Sequence, residues 1–298
     1  MVEADRIGIL DLPGDLFAGD LVDNLPQSEI ILLDTGALKN LSNYRVILDR
    51  CSYLSPYLRE MVKSISLQGC YVINNPFTVS LNNKIMDLQV CRKLDIPVPS
   101  TIVLPEARLA DEFTISAENT SWERIMHALG LPFILKPYDG YGWEDVHVIE
   151  DEAQFDACCN PPGADRLIIA QQCIKYLRYF RVFCIGKSEV LFTRWVPRPF
   201  DQGEYYSCTG RGSEAVLDEI AEMSISFNSF MDLDINVIEW CIDASGKPFL
   251  IDANNAVPDI PAERLPQECY GWILDKVVKL IRHKLQAPGQ NNRMPFQI

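Results

Sequence analysis

The sequence lacks both common glycine signatures for holding a nucleotide phosphate: it has no GxxxxGK[ST] loop and no GxGxxG. Its three histidines, His127, His147 and His283, have no metal-ligand spacing with one another or with a cysteine. No CxxC occurs among its ten cysteines, and no Ser/His or Cys/His arrangement marks a nucleophilic catalyst. No apolar run approaches the roughly 18 residues that a membrane-spanning helix needs, so we expect no membrane partner. Basic residues are in deficit, 27 against 41 acidic, and the formal charge of −14 argues against general binding to nucleic acid or anionic membranes. The first residues, Met1 to Arg6, are acidic and lead straight into strand-like Ile7 to Leu10, unlike a secretory signal. We therefore expect a cytoplasmic protein whose cysteines, scattered through segments such as Phe183-Cys184-Ile185, are buried free thiols.

With 298 residues, 48% of them hydrophobic, the chain is long enough for two or three lobes. Over residues 1–82, strand-like runs at 30–33, 44–48 and 70–73 alternate with helical spacing, as at 55–67, which predicts a small α/β unit with a parallel sheet. A helix over 83–93 carries Ile85, Leu88 and Cys91 along one side and stops at Ile96-Pro97-Val98-Pro99. Residues 104–122 read as a polar excursion. A second α/β segment follows, with strands at 133–136, 146–149 and 167–170 and a helix from Glu152. The remainder reads as mostly antiparallel. One hairpin turns at Gly186-Lys187 and another at Asp243–Lys247, with helices at 213–231 and 270–285. The fold class is α/β and α+β, divided at 1–82, 83–172 and 173–298.

Three constellations could carry chemistry. Lys136 ends the apolar run Phe133–Lys136, where an ammonium is costly to bury unless an anion meets it. Gly140 and Gly142 follow, and can bring backbone N–H groups close to phosphate oxygens. Glu239 lies on one strand of the second hairpin, while Asp252 and Asn254, two residues apart on the other, share a sheet face. Two carboxylates and an amide oxygen are hard ligands suited to Mg²⁺. Arg181 and Arg194, on the first hairpin, would stabilise charge on a transferred phosphoryl group if both lie over that metal site. Each segment also has a plain structural reading, as surface lysine, turn or exposed strand arginine.

The order of these pieces resembles the ATP-grasp superfamily, in particular the branch with the ribosomal-protein glutamate ligase and the lysine-biosynthesis ligases. Asn83-Lys84 through Gln89 and on to Ile96-Pro97-Val98-Pro99-Ser100-Thr101 looks like that branch's "D-K-x-x-x-x-Q … G-I-P-x-P-x-T", with Asn83 in the place of Asp. Ile168 to Ile174 is similar to its adenine hinge, with Gln172 where the family usually has Glu. The resemblance covers about residues 45–260. It implies an ATP-grasp fold behind an N-terminal pre-ATP-grasp α/β domain. It further implies ATP held by Lys84, Lys136, Gly140, Gly142, Gln171, Gln172, Cys173 and Ile174, and Mg²⁺, or Mn²⁺ in its place, on Glu239, Asp252 and Asn254. Arg181 and Arg194 would be the phosphate- and intermediate-binding arginines. The activity it implies is ADP-forming ligation of a carboxylate to an amine through an acylphosphate, with an amino acid or peptide as substrate. Ligases of this kind are often homo-oligomers. Gly210-Arg211-Gly212 falls where the branch has an acceptor loop, and Arg50 is a further candidate for the cleft. The same elements would serve an ATP-grasp kinase of a small alcohol or polyol, or a non-catalytic nucleotide-binding protein.

Overall fold

The computed structural model of the protein describes residues 6–11, 14–31, 43–81, 83–105, 121–140, 142–159, 167–198, 203–287 and 291–292. Leu32 and Leu33 of the second predicted strand, most of the 104–122 excursion, Tyr141 and residues 199–202 lie outside these ranges.

Strands β1 (Arg6–Leu10), β2 (Ser28–Ile31), β3 (Tyr44–Asp49) and β4 (Tyr71–Ile73) form a parallel sheet in the order β2-β1-β3-β4. Parallel strands must be covered on both faces, and their apolar runs follow from that. Ile7, Ile9, Val46, Leu48 and Ile73 face helix α1 (Leu16–Asn24) and the C-terminal helix of the chain, while Leu10, Ile47 and Val72 face helix α2 (Pro56–Leu67). Asp15 and Ser55 cap the two helices, accepting from the N–H groups of Ala18 and Leu58. Helix α3 (Pro76–Val79) is a single turn, and helix α4 (Lys84–Lys93) is capped by Asn83, whose Oδ1 accepts from Met86 N at 2.9 Å. Asn and Asp cap equally well, so Asn83 is a physically neutral departure from the family pattern.

Strands β5 (Thr101–Leu104), β6 (Phe133–Pro137), β7 (His147–Ile149) and β8 (Ile168–Gln172) form a second, antiparallel sheet, ordered β5-β8-β6-β7. Its core joins Phe133, Leu135, Ile149 and Ala170 to Ile125 and Leu129 of helix α5 (Trp122–Leu129) and Phe155 of helix α6 (Glu152–Cys159). Helix α5 and strand β5 were not foreseen.

Strands β9 (Tyr176–Ile185), β10 (Glu189–Val196), β11 (Glu204–Thr209), β12 (Ile235–Asp243) and β13 (Pro248–Asp252) make an antiparallel sheet, ordered β11-β10-β9-β12-β13. Helix α7 (Ala215–Phe230) covers one face, packing on Phe180, Val182, Phe192 and Trp240. Val90 and Cys91 of α4 enter the same core, which fixes that helix against the C-terminal sheet. Helix α8 (Gln267–Gln286) packs on the other face and also on the parallel sheet, so one core runs through both. No helix among the described residues is long and apolar enough to cross a membrane.

Two sequence expectations are corrected. Arg50 is not a surface group: it is buried, donating from Nε to Asp11 at 2.7 Å and from Nη2 to Asp15 at 3.0 Å, over the ring of Phe17, and it lines a small cavity with Asn74, Val257 and Pro258. Of the ten cysteines, eight are free, but Cys208 of β11 and Cys269 of α8 form a disulfide across 61 residues. Strand β11 was read as loop, and only its pairing with β10 brings Cys208 to the helix. Thiol titration of the unfolded protein should therefore find eight thiols, and ten after reduction; ten beforehand would contradict the bond. Closing so long a loop is worth about 4 kcal/mol on chain entropy alone, so the reduced protein should unfold at lower denaturant.

Candidate active site

The register of the C-terminal sheet builds a row across its strands. Thr193 lies opposite Arg181, Arg181 opposite Glu239, and Glu239 opposite Asp252, so the three charged side chains leave one face of β9, β12 and β13 side by side. An irregularity in pairing between Glu239 and Trp240 falls at this point. Trp240 turns the other way, into the α7 core, where its indole donates to Ser224 at 3.0 Å. Asn254, two residues beyond Asp252, is buried beside them.

Glu239 is held from two sides. The phenol of Tyr179 donates to Oε2 at 2.6 Å, and Arg181 Nε stands 3.8 Å from Oε1. The Arg181 guanidinium stands against the neighbouring rings of Trp195 and Tyr205, and its Nη1 donates to the Tyr205 hydroxyl. With the Asn255 amide turned to satisfy both of its ends, its oxygen accepts from Arg181 Nη2 at 2.9 Å. A guanidinium fixed this firmly loses little freedom on meeting a substrate oxygen.

The central sheet and α4 supply the opposing cations. Lys136, on the face of β6 away from the α5–α6 core, is buried. Lys84 begins α4, whose backbone N–H donates to Tyr138 O at 2.8 Å, and its ammonium donates to the carbonyl of Gly140. Gly142, Trp143 and Asp145 all have positive φ, and only glycine adopts that geometry freely. At Gly140 the constraint is space, since a Cβ would come within 3.2 Å of the Pro137 ring.

Burial pulls the Lys136 ammonium down to about 8, although Asp252, Glu239 and Asp87 pull it back up. Burial pushes the Asp87 carboxyl up to about 8, and neighbouring Asp252 adds to the shift. It raises Glu239 too, against the opposing influence of Arg181. All three shifts say that this cluster is costly to keep charged on its own. Asp87, Tyr179, Tyr205 and Asn255 were not singled out in the sequence. For Asp87 a signal existed, because it follows Lys84 by three residues and so shares its helix face.

The hinge segment lies where the two antiparallel sheets meet. Gln171 is buried and donates to Thr101 Oγ1 at 3.1 Å, while Gln172 N donates to Ser100 O at 2.8 Å. Cys173, Ile174 and Lys175 run directly from β8 into β9, with Ile174 against Tyr179 and Trp195.

Two expected groups are not brought to the site. Arg194 lies opposite Phe180, on the α7 face of the sheet and away from Arg181, and it is exposed. Arg211 pairs with Glu222 of α7 rather than with any group of the cleft.

No family model and no curated protein matches the sequence. Solved structures do. The D-alanine–D-alanine ligase of Bacillus anthracis in complex with ATP matches over 95% of this chain and 97% of its own, at 14% identity and a TM-score of 0.66. A RimK-domain ATP-grasp protein from Sphaerobacter thermophilus matches over 95% of this chain and all of its own length, at 17% identity and a TM-score of 0.65. The ATP-grasp ligase PsnB with a minimal precursor, Mg and ADP matches over 92% and 97%, at 16% and 0.64. Near-complete coverage in both directions at TM-scores of 0.64 to 0.66 establishes a shared architecture: this chain has the ATP-grasp fold.

Proposed function

We propose that this chain is an ATP-dependent, ADP-forming carboxylate–amine ligase acting on an amino acid or peptide. The observation that carries the reading is the facing of unlike charges: Glu239, Asp252 and Asn254 on one sheet, with Lys136 and Lys84 across the cleft. The donor set is hard oxygen, as Mg²⁺ requires. A buried oxygen of Asp87, whose carboxyl lies near Asp252 and Asn254, has no hydrogen-bond partner among the described residues. The neighbours crystallised with ATP, or with Mg and ADP, support the same ligands here.

Glu239, Asp252 and Asn254 would hold Mg²⁺. Lys84, Lys136 and the backbone of Gly140 and Gly142 would hold the phosphates, and Gln171 to Ile174 the adenine. Mg-ATP, when bound, would supply its γ-phosphoryl group to a substrate carboxylate and leave as ADP, and attack of the amine on the activated carboxyl carbon would form the amide and release inorganic phosphate. The protein positions and stabilises charge, and needs no nucleophile of its own. Arg181 meets the growing negative charge, held square by Tyr205 and Asn255. The bond from Lys84 to the Gly140 carbonyl ties the start of α4 to the segment after β6.

Arg181→Ala should therefore lower turnover about 100-fold or more, while Arg194→Ala, on the far face, should stay within about threefold of the parent. Equal losses from both variants would restore Arg194 to the site. The reading as a whole is tested by measuring ADP and free phosphate from Mg-ATP across amino acids, dipeptides and polyols. ADP with equal phosphate, dependent on both a carboxylate and an amine, is expected. ADP without phosphate would indicate a kinase, and no turnover with any acceptor would indicate a protein that only binds nucleotide.

A further inference from the structure

We propose that the Cys208–Cys269 disulfide is a reversible redox site, opened by a dithiol at Cys208, and that its opening releases Tyr205 from Arg181 and lowers turnover. The effect on turnover rests on the ligase reading of Arg181; the redox site and its hold on Tyr205 do not. Cys208 continues the row that builds the candidate site. It lies opposite Thr193, Thr193 opposite Arg181, Arg181 opposite Glu239 and Glu239 opposite Asp252. Its side chain therefore leaves the same face of the sheet, two strands from the guanidinium. Tyr205 lies opposite Trp195 and shares that face, because the pairing shifts between Arg194 and Trp195. Without this irregularity, residues 205 and 208 would point to opposite faces.

Strand β11 pairs with β10 alone among the described residues, so it is an edge strand with a backbone partner on one side. The disulfide joins it to the start of α8, a helix whose Ile273, Val277 and Ile281 sit in the core shared by two sheets. Tyr205, which accepts from Arg181 Nη1, is carried by the strand that this bond holds. The other eight cysteines are free, and Cys158, Cys159 and Cys173 among them are not fully buried. A disulfide alone among thiols belongs with the exchangeable bonds rather than with a disulfide scaffold. Access selects one sulfur: Cys208 is half-buried and Cys269 fully buried. An incoming thiolate attacks Cys208 Sγ, the S–S bond breaks, and Cys269 leaves with the electron pair and takes a proton. The second thiol of the reductant then attacks the mixed disulfide. Cys208 is released as a thiol, the reductant departs as its own disulfide, and each protein sulfur has gained an electron and a proton. Glu268 Oε1, 3.5 Å from Cys208 Sγ, can accept from the released thiol. The same exchange run backwards, with a small disulfide as oxidant, restores the bond.

The test uses the full chain, oxidised and after dithiothreitol, with the Arg181 Nε–H signal followed by nuclear magnetic resonance and ADP formation measured beside it. Reduction should move the signal and slow ADP formation about 10-fold, and a small disulfide should reverse both changes. Tyr205→Phe keeps the bond and the ring but loses the hydroxyl. Its oxidised form should match the reduced parent, and reduction should then add less than about twofold. Cys208→Ser should sit at the reduced level and ignore dithiothreitol. A bond that is structural only either resists dithiothreitol until the chain unfolds, or opens and lowers the unfolding temperature while the Arg181 signal stays in place; each result overturns the proposal. Equal losses on reduction in Tyr205→Phe and in the parent overturn it too. A signal that moves in a protein with no turnover on any acceptor upholds the redox site and fails the ligase reading. An unmoved signal in a protein that loses turnover with Arg181→Ala does the reverse.

Discussion

Lys136→Met is expected to slow ADP formation about 100- to 1,000-fold, the usual consequence of removing one preorganised group that meets developing charge in a buried site. Methionine fills the volume of the lysine stem and tolerates irregular packing, so the fold should survive and the charge alone is lost. Glu239 and Asp252 stand near Lys136, and Glu239 near Arg181; the variant removes one cation from beside these carboxylates. The surplus negative charge makes an informative split. Nucleotide affinity, measured by calorimetry, should fall at least about 10-fold, because polyphosphate loses a partner that burial keeps poorly hydrated. Mn²⁺ affinity without nucleotide should hold or rise. A variant that loses cation and nucleotide equally would mean that Lys136 supports the structure of the site rather than the phosphates.

Asn74→Ala is expected to destabilise the protein by about 3 to 5 kcal/mol. Asn74, at the end of β4, is 4% exposed, and its amide donates to Ile235 O at 2.7 Å and Ala256 O at 2.6 Å while its oxygen accepts from Ile235 N at 2.7 Å. One side chain thus satisfies three buried backbone groups at the start of β12 and beyond β13. Each group left alone costs about 1–3 kcal/mol, and partial access of water to the smaller alanine keeps the total below the sum. Chemical denaturation checks it. A loss under about 1 kcal/mol would show that the parallel sheet and the C-terminal sheet are held together by their shared apolar core and α8 alone. Because β12 and β13 carry Glu239 and Asp252, the variant should also weaken Mn²⁺ binding before global unfolding.

The candidate site was legible in the sequence wherever side-chain period and residue type agreed. Asp252 and Asn254 follow a strand pattern two residues apart, and a lysine at the end of Phe133–Lys136 is hard to explain without an anion. Arg194 failed for a reason of one residue. A two-residue turn at Gly186-Lys187 would set Arg194 opposite Tyr179, on the face of Arg181. The observed turn has three residues, with Ile185 paired to Glu189, which moves Arg194 opposite Phe180 and onto the other face. Both Gly186 and Lys187 have positive φ, and no local feature of Gly-Lys-Ser distinguishes the two turns beforehand.

Asp87 was missed because helix reading sorts by polarity: an aspartate among Ile85, Leu88 and Cys91 looks like the wet side, yet it is buried together with Leu88, Val90 and Cys91. The one sequence signal for it is its place three residues after Lys84, on the same helix face. Strand β11 was hidden by Gly203 and Gly210 at its ends, and with it went the disulfide and Tyr205, which steadies Arg181.

The central claim is that the cleft between the two antiparallel sheets binds nucleotide phosphate through a cation held by Glu239, Asp252 and Asn254. Calorimetric binding of ATP with and without Mg²⁺, to the parent and to Asp252→Ala, tests it most directly. We expect binding that Mg²⁺ strengthens about 10-fold or more in the parent and leaves nearly unchanged in the variant. Equal affinity in all four combinations would contradict the account, since the paired carboxylates would then have no part in holding ATP.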